Sequence, residues 1–366
     1  SGIISEMVKL PEFISYLKLR TSYTEVGSPI TQTGITPGTV TDPMSGGVIN
    51  PISTYPYPDF KPERTKSYEV GINARFLNGR ISFDGTFYQS NTYNQTFLSV
   101  MSPATGYSGF YVQAGNVRNR GVEMTLGYND TFGKVNYSTH LTYTANQNKI
   151  VEMVHDYRNP IDNSLVNITE LTLKEAGDVY LREGYSMSDV FTTGILQRGR
   201  DGKLVEEGNG YQVDRSQRIR LGSADPDFTM GWRHDINYKN ISLGLMITGR
   251  FGGIVTSQTQ AFMDAFGVSK VSAEARDNGG VMLDGHRYDA ERYYNTVGGQ
   301  GLMSYYTYDA TNVRLQELSL TYSLPKKWLG DVFNNATISF VGRNLFMFYR
   351  KAPFDPDMNG STGTYN

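Results

Sequence analysis

From Val135 to Asn146 the chain alternates without a break. Val135, Tyr137, Thr139, Leu141, Tyr143 and Ala145 fall on one face, and Asn136, Ser138, His140, Thr142, Thr144 and Asn146 fall on the other. Side chains of a strand point in turn to the two faces of its sheet, so this is a two-sided strand of roughly 12 residues. That is about twice the common length of a soluble strand. It is close to the ~9–11 tilted residues that cross a bilayer in a barrel wall.

The pattern recurs along the whole chain. Leu17, Leu19, Thr21 and Tyr23 oppose Lys18, Arg20, Ser22 and Thr24. Tyr68, Val70, Ile72, Ala74 and Phe76 oppose Glu69, Gly71, Asn73 and Arg75, and Ile81, Phe83 and Phe87 oppose Ser82, Asp84 and Thr86. The runs Val122–Tyr128, Phe228–Tyr238, Ile241–Arg250 and Ile338–Phe340 repeat it. Between Val313 and Leu324 the apolar positions change from odd to even, which predicts a β-bulge near Gln316–Glu317. Ser5 to Leu10 has room for one helical turn before Pro11.

The connections alternate in length. Those at Asn78–Gly79, Asn129–Gly133, Lys239–Asn240 and Pro325–Asn335 are short, the first predicted as a tight two-residue turn. Those at Gly27–Glu63, Asn94–Gln113, Lys149–Asp225 and Gly252–Thr311 are long. Antiparallel barrels of the outer membrane have short periplasmic turns and long outside loops. Parity then requires an even number of spanning strands inside Lys149–Asp225, so Val190–Gln197 is expected in an extracellular hairpin and not in the wall. About nine wall strands result. A bacterial single-chain barrel has an even count and no open edge, so at least one strand is expected to lie outside this chain.

Composition agrees where it speaks. No run approaches the ~18 apolar residues of a helical span, and the mean hydropathy is −0.41; a barrel strand shows only half its residues to lipid and escapes such windows. The 26 Tyr and 18 Phe suit strands and membrane edges. A formal net charge of −2 points to no nucleic-acid partner. Cys is absent and the four His are scattered, so no thiol chemistry, metal site or cofactor is expected. The chain opens Ser-Gly-Ile-Ile-Ser-Glu without a basic, apolar leader, as a mature or truncated chain would.

Seven phrases carry a resemblance: Leu17-Lys-Leu-Arg-Thr-Ser-Tyr23, Pro62-Glu-Arg-Thr-Lys-Ser-Tyr-Glu-Val-Gly71, Phe76-Leu-Asn-Gly-Arg80, Gly115-Asn-Val-Arg-Asn-Arg-Gly-Val-Glu123, Gly222-Ser-Ala-Asp-Pro-Asp-Phe228, Val313-Arg-Leu-Gln-Glu-Leu-Ser-Leu-Thr-Tyr322, and Gly342-Arg-Asn-Leu-Phe346 followed by Asp355-Pro-Asp357. In this order they resemble the C-terminal half of SusC/RagA-type TonB-dependent outer-membrane transporters. The resemblance implies an all-β, antiparallel transmembrane β-barrel with long extracellular loops, residues 1–366 supplying about 9–10 of 22 strands. It also implies a plug domain, a TonB box and a final strand outside this chain. Its implied partners are outer-membrane lipid, a SusD-like surface lipoprotein, TonB through the absent N-terminal part, and a glycan or peptide cargo.

Two sets of residues stand out. Arg20, Glu69, Arg75, Asp84, Glu123, Arg233, Asp235 and Arg250 occupy the polar face and are expected to line the lumen, to hold the plug or guide substrate. The competing reading is that a wide aqueous barrel simply needs polar inner residues. Tyr55, Tyr57, Phe60, Tyr293, Tyr294, Tyr305, Tyr306 and Tyr308 are expected in outer loops, contacting ligand or partner, against a reading as loop packing. Tyr23, Tyr68, Tyr128, Tyr143, Trp232 and Tyr238 read as a membrane girdle near strand ends. Asp355-Pro-Asp-Met-Asn-Gly360 begins like a calcium loop, but Asn366 stands where a bidentate Glu is required, so turn chemistry is the better reading. Asp225 and Asp227 bracket Pro226 at a strand entry and lack the setting of a glycosidase pair. With no nucleophile elbow or phosphate loop, no enzyme is expected. The alternative from another class is a secreted all-β carbohydrate-binding or adhesion protein, since sandwich strands also alternate.

Overall fold

The computed structural model describes residues 1–29, 54–55, 60–158, 164–173, 179–329 and 333–357. The chain divides into two compact units. One comprises Ser1–Met187, Pro226–Phe251 and Thr311–Arg350, the other Ser188–Asp225, Gly252–Ala310 and Lys351–Asn366.

The first unit is built on a 10-stranded sheet. In chain order its strands are β1 (Gly2–Ile3), β2 (Ile14–Ser28), β3 (Glu63–Phe76), β4 (Ile81–Tyr93), β5 (Asn116–Phe132), β6 (Val135–Glu152), β7 (Phe228–Tyr238), β8 (Ile241–Phe251), β9 (Asn312–Ser323) and β10 (Thr337–Arg350). Each pairs antiparallel with the next, so the sheet is a pure meander of nine long strands and one short one. β6 runs 18 residues, longer than its alternating core predicts.

Register aligns the apolar faces across the sheet. Leu126 lies opposite Phe83 and Leu141, Leu141 opposite Trp232, Trp232 opposite Ile247, and Ile247 opposite Leu315. A one-residue slip would move every such side chain to the other face, so the pattern itself fixes the pairing. The expected bulge is present: Ile247 pairs Leu315 and Met246 pairs Glu317, leaving Gln316 as the extra residue. It keeps Leu318 and Leu320 on the apolar face after the change of parity.

That face is open. Leu126 is 49% exposed, Val70 57% and Phe340 74%. Rows of aromatics mark its two ends. Tyr23 lies tilted against Tyr68 at 5.0 Å and Phe228 stacks on Phe251 at 4.6 Å; at the other end Tyr128 sits 6.3 Å from Tyr137 and Phe13 6.5 Å from Phe76. From Phe228 to Tyr238 is ~33 Å of strand at ~3.3 Å per residue. At the ~40° tilt of outer-membrane barrels this covers about 25 Å of depth, the height of their apolar band. Trp232 is the exception among the expected girdle residues. It sits in mid-strand, where its indole N–H is satisfied by the Thr139 hydroxyl at 3.0 Å.

The short turns differ in detail from expectation. β3 and β4 close at Phe76 opposite Ile81, leaving four residues and not two, with Leu77, Asn78 and Gly79 all at positive φ. β5 runs on through Asn129 to Phe132, and only Gly133 (φ 62) and Lys134 make the turn. Lys239–Asn240 is the two-residue turn expected.

The long connections carry structure of their own. Within 94–113, Gln95–Val100 pairs Gly109–Ala114. This hairpin packs with the upper ends of β5 and β6 on a core of Phe97, Val112, Val117, Ile150, Met153, Leu171 and Leu181. Asp189–Leu196 pairs Val213–Ser223 apart from the wall, as parity demands. Gly252–Thr311, expected as a long loop, contains three helices: α1 (Gln258–Ala265), α2 (Lys270–Asp277) and α3 (Ala290–Val297). Each begins at a side chain that accepts a backbone N–H: Ser257 from Gln260, Ser269 from Ser272 and Asp289 from Arg292. They build the second unit's core around Ala261, Tyr293, Tyr294, Val297, Leu302 and Tyr306.

Candidate functional site

The polar face of the sheet holds all eight residues expected there. Cross-strand partners share a face, and the register gives continuous rows: Arg20, Gly71, Thr86, Glu123, Thr144, Thr229, Arg250 and Asn312 form one, crossing from β2 to β9. Arg75 and Arg233 stand in a row four residues away, and Asp84 lies in the row between the two. Glu69 and Asp235 lie beyond these rows on the same face.

Two charge networks organise this face. Arg20 donates to Asp84 Oδ2 and Oδ1 at 3.0 and 2.8 Å and to the Thr86 hydroxyl at 2.9 Å, while the Asn73 amide donates to Asp84 at 2.7 Å. To reach β4, Arg20 crosses β3 above Gly71, where a Cβ would lie 2.9 Å from Nε and Nη2. Tyr88 repeats the device, passing over Gly121 to donate to Asn146 at 3.1 Å. Further along, Arg233 donates to both oxygens of Asp235 (2.9 and 3.2 Å) and faces Glu317 at 3.9 Å, which also pairs Arg343 at 3.4 Å.

The structure therefore joins Arg20 with Asp84 and Arg233 with Asp235. It separates Glu123 from Arg250 by three strand spacings, ~14 Å at ~4.8 Å each. Arg75 lies 5.5 Å from the Tyr16 ring centroid. Glu317 and Arg343 were missed. The bulge at Gln316 contained the signal, because once Leu318 faces outward Glu317 must face the other way.

The loop aromatics separate into two kinds. Tyr55 meets Tyr107 edge-on at 5.1 Å and Phe60 meets Tyr111 at 5.7 Å, both partly exposed; Tyr57 lies outside the described residues. Tyr293, Tyr294 and Tyr306 correct the expectation, being buried in the second unit's core. Their burial pushes all three phenols up, so they remain protonated, and their rings are committed to packing. Tyr305 stays 37% exposed, and Tyr308 packs edge-on against Phe354 at 5.5 Å. Asp357 N–H bonds to the Asp355 carboxylate at 3.0 Å, a turn contact, as read from the sequence; Asn359, Gly360 and Asn366 lie outside the described residues.

Residues 11–248 match a family model described as TonB dependent receptor-like, beta-barrel. Two curated proteins of Formosa agariphila are similar. TonB-dependent receptor P3 is 25% identical over 370 residues, covering 94% of this chain and 36% of its own length. TonB-dependent receptor P26 is 25% identical over 321 residues, covering 82% and 32%. The chain thus spans about a third of the length of these relatives. Among solved structures, the RagAB peptide transporter aligns with TM-score 0.67 at 17% identity, covering 94% of this chain and 38% of that one. The RagAB peptide importer in the 'open-open' state gives TM-score 0.67 at 19% identity, covering 97% and 39%. These establish a common fold.

Proposed function

Because the chain belongs to the TonB-dependent receptor-like β-barrel family of the outer membrane, we propose that it is the C-terminal portion of a SusC/RagA-type importer. In this reading the whole protein moves large nutrients, oligosaccharides or peptides, together with a SusD-like surface lipoprotein and with energy from TonB. The family is one of receptors and not of enzymes. The observation that supports import most directly is the division of the sheet. One face is aliphatic and aromatic across nine strands and open to the surroundings, which suits hydrocarbon. The other is ionic and hydrogen-bonded, which suits an aqueous passage.

The same division disposes of the secreted sandwich alternative. A sandwich buries its apolar face against a second sheet, and here Leu126, Val70 and Phe340 remain open. The paired charges Arg20–Asp84 and Arg233–Asp235–Glu317 are proposed to line the lumen beside plug and cargo. Tyr55, Phe60 and Tyr305 are proposed as contacts for cargo or lipoprotein at the outer loops.

The test is uptake by cells that carry or lack the full-length receptor, with fluorescent oligopeptides and oligosaccharides offered in parallel. Import of one class that disappears on deleting either the receptor or TonB supports the reading. Uptake indifferent to both deletions rejects it.

A further inference from the structure

On the apolar face, the boundary between grease and charge falls on a single row. Val70, Phe87, Val122 and Ala145 are cross-strand neighbours on β3, β4, β5 and β6. Two residues toward the long-loop end, the same strands carry Tyr68, Gln89, Arg120 and Gln147; two further, Lys66, Asn91, Arg118 and Lys149. Hydrocarbon-type side chains thus give way within four residues of rise, ~13 Å, to a band of cations: Arg120 first, then Lys66, Arg118 and Lys149.

On β5 and β6 the band is poorly neutralised from within. Lys149 stands directly opposite Arg118, a like-charge cross-strand pair that is destabilising in isolation. The Arg118 Nε is shielded from solvent and has no hydrogen-bond partner. Arg120 Nε donates to the neutral Gln147 amide oxygen at 2.8 Å, and Lys66 lies 5.8 Å from the Tyr93 ring centroid. On its β2 side Glu25 stands directly opposite Lys66 and pairs with Arg64, the one ion pair on this band among the described residues. Cations placed one step beyond an apolar band face the depth at which a membrane holds its headgroups.

We propose that Arg118, Arg120, Lys149 and Lys66 form an external binding site for the phosphate groups of a phosphorylated glycolipid in the outer leaflet. A phosphate seated between Arg118 and Lys149 relieves their repulsion, and a guanidinium offers phosphate two parallel donors. The lipid's acyl chains then lie along Val122, Val70 and Phe87, where the open apolar face continues. The site rests on the barrel's place in the outer membrane and not on what it imports, so its test uses no uptake measurement.

The full-length receptor, purified in detergent, is loaded with diphosphorylated lipid A, with dephosphorylated lipid A, or with inorganic phosphate, and retained adducts are counted by native mass spectrometry. The phosphorylated lipid is expected to be retained about tenfold over the dephosphorylated one, the worth of one charge-assisted hydrogen bond. Lys149→Glu is the informative variant. It converts the repulsive pair into an attractive one, so the barrel folds at least as well while phosphate retention falls about tenfold. Lys149→Arg should keep it. Equal retention in wild type and K149E, no preference for the phosphorylated lipid, or retention of inorganic phosphate in place of the lipid would each overturn the proposal.

Discussion

Arg20 and Asp84 are joined across an intervening strand. The guanidinium on β2 passes over Gly71 of β3 and donates to both carboxylate oxygens of Asp84 on β4, at 3.0 and 2.8 Å. Direct cross-strand pairing joins neighbours, so reaching two strands away requires an empty place in the middle. Glycine supplies it. The sequence Glu69-Val-Gly71 therefore encodes a long-range polar contact by leaving a side chain out.

Gly71→Val should break that contact. A Cβ at 2.9 Å from Nε and Nη2 displaces the guanidinium, and the added methyls block its return. Both partners are about one-third exposed, so the pair itself contributes at most about 1 kcal/mol, and crowding adds 1–3 kcal/mol at most by order of magnitude. Urea unfolding of refolded barrels should show the loss. A double-mutant cycle in which Arg20 and Asp84 still couple in the Gly71→Val background would contradict the explanation.

Much of the wall was legible because its signal is periodic. Alternation placed the nine long strands, and the parity of loop lengths kept Asp189–Leu196 out of the sheet. The parity change at Gln316 located the bulge, and with it Glu317. The second unit was not legible. Its three helices are each 8 residues long, too short to show a clear 3.6-residue period, and their capping side chains Ser257, Ser269 and Asp289 look like any loop Ser or Asp. Tyr293, Tyr294 and Tyr306 were misjudged for the same reason: without the helix at Ala290–Val297, nothing indicates which rings turn inward. The resemblance named a family, and the register then supplied the contacts that no motif contains.

Leu302 tests whether that second unit has a core in its own right. It is fully buried, and its Cδ2 would meet a Cβ added at Gly194 at 2.7 Å. Leu302→Ala should cost about 2–5 kcal/mol of the unit's local stability. Limited proteolysis should then cut within 252–310 at lower protease concentration, while the heat-modified gel mobility of the barrel stays unchanged. Equal resistance in variant and wild type would show that the cluster around α3 is not cooperative.

The contact of His155 with Glu183 gives a pH dependence with two limbs. The Glu183 carboxylate accepts from the Met153 N–H at 3.1 Å and meets His155 Nε2 at 2.8 Å. The bond to Glu183 raises the His155 pKa, so its stabilising contribution is full below the unfolded value of about 6.5 and fades as pH rises through the folded one. Burial raises the Glu183 pKa, but bonds from His155 and the Met153 amide outweigh it and leave the pKa lowered. Its contribution is full above about 4.3 and is lost as pH falls through the folded value. Protection of the Met153 amide against hydrogen exchange, corrected for intrinsic rate, should therefore peak between those limits. His155→Gln should abolish the fall on the alkaline side and keep the acid limb; a profile unchanged by that substitution would sever the link.

The assignment of faces has the sharpest test in two adjacent residues of β5. Leu126 lies between Phe83 and Leu141 on the open apolar face, about midway between the aromatic rows. Thr125 lies between Asp84 and Thr142 on the ionic face. An arginine at position 126 must leave water for hydrocarbon near mid-depth, which costs about 2–4 kcal/mol in a membrane barrel. The same arginine at position 125 stays wet and finds Asp84 directly opposite, so Thr125→Arg should change stability by less than about 1 kcal/mol. Folding each variant into lipid vesicles and titrating with guanidinium chloride measures the difference. If Thr125→Arg proves the costlier of the two, the ionic face is the one that meets lipid, and the passage proposed along Arg20, Asp84 and Arg233 has no place in this wall.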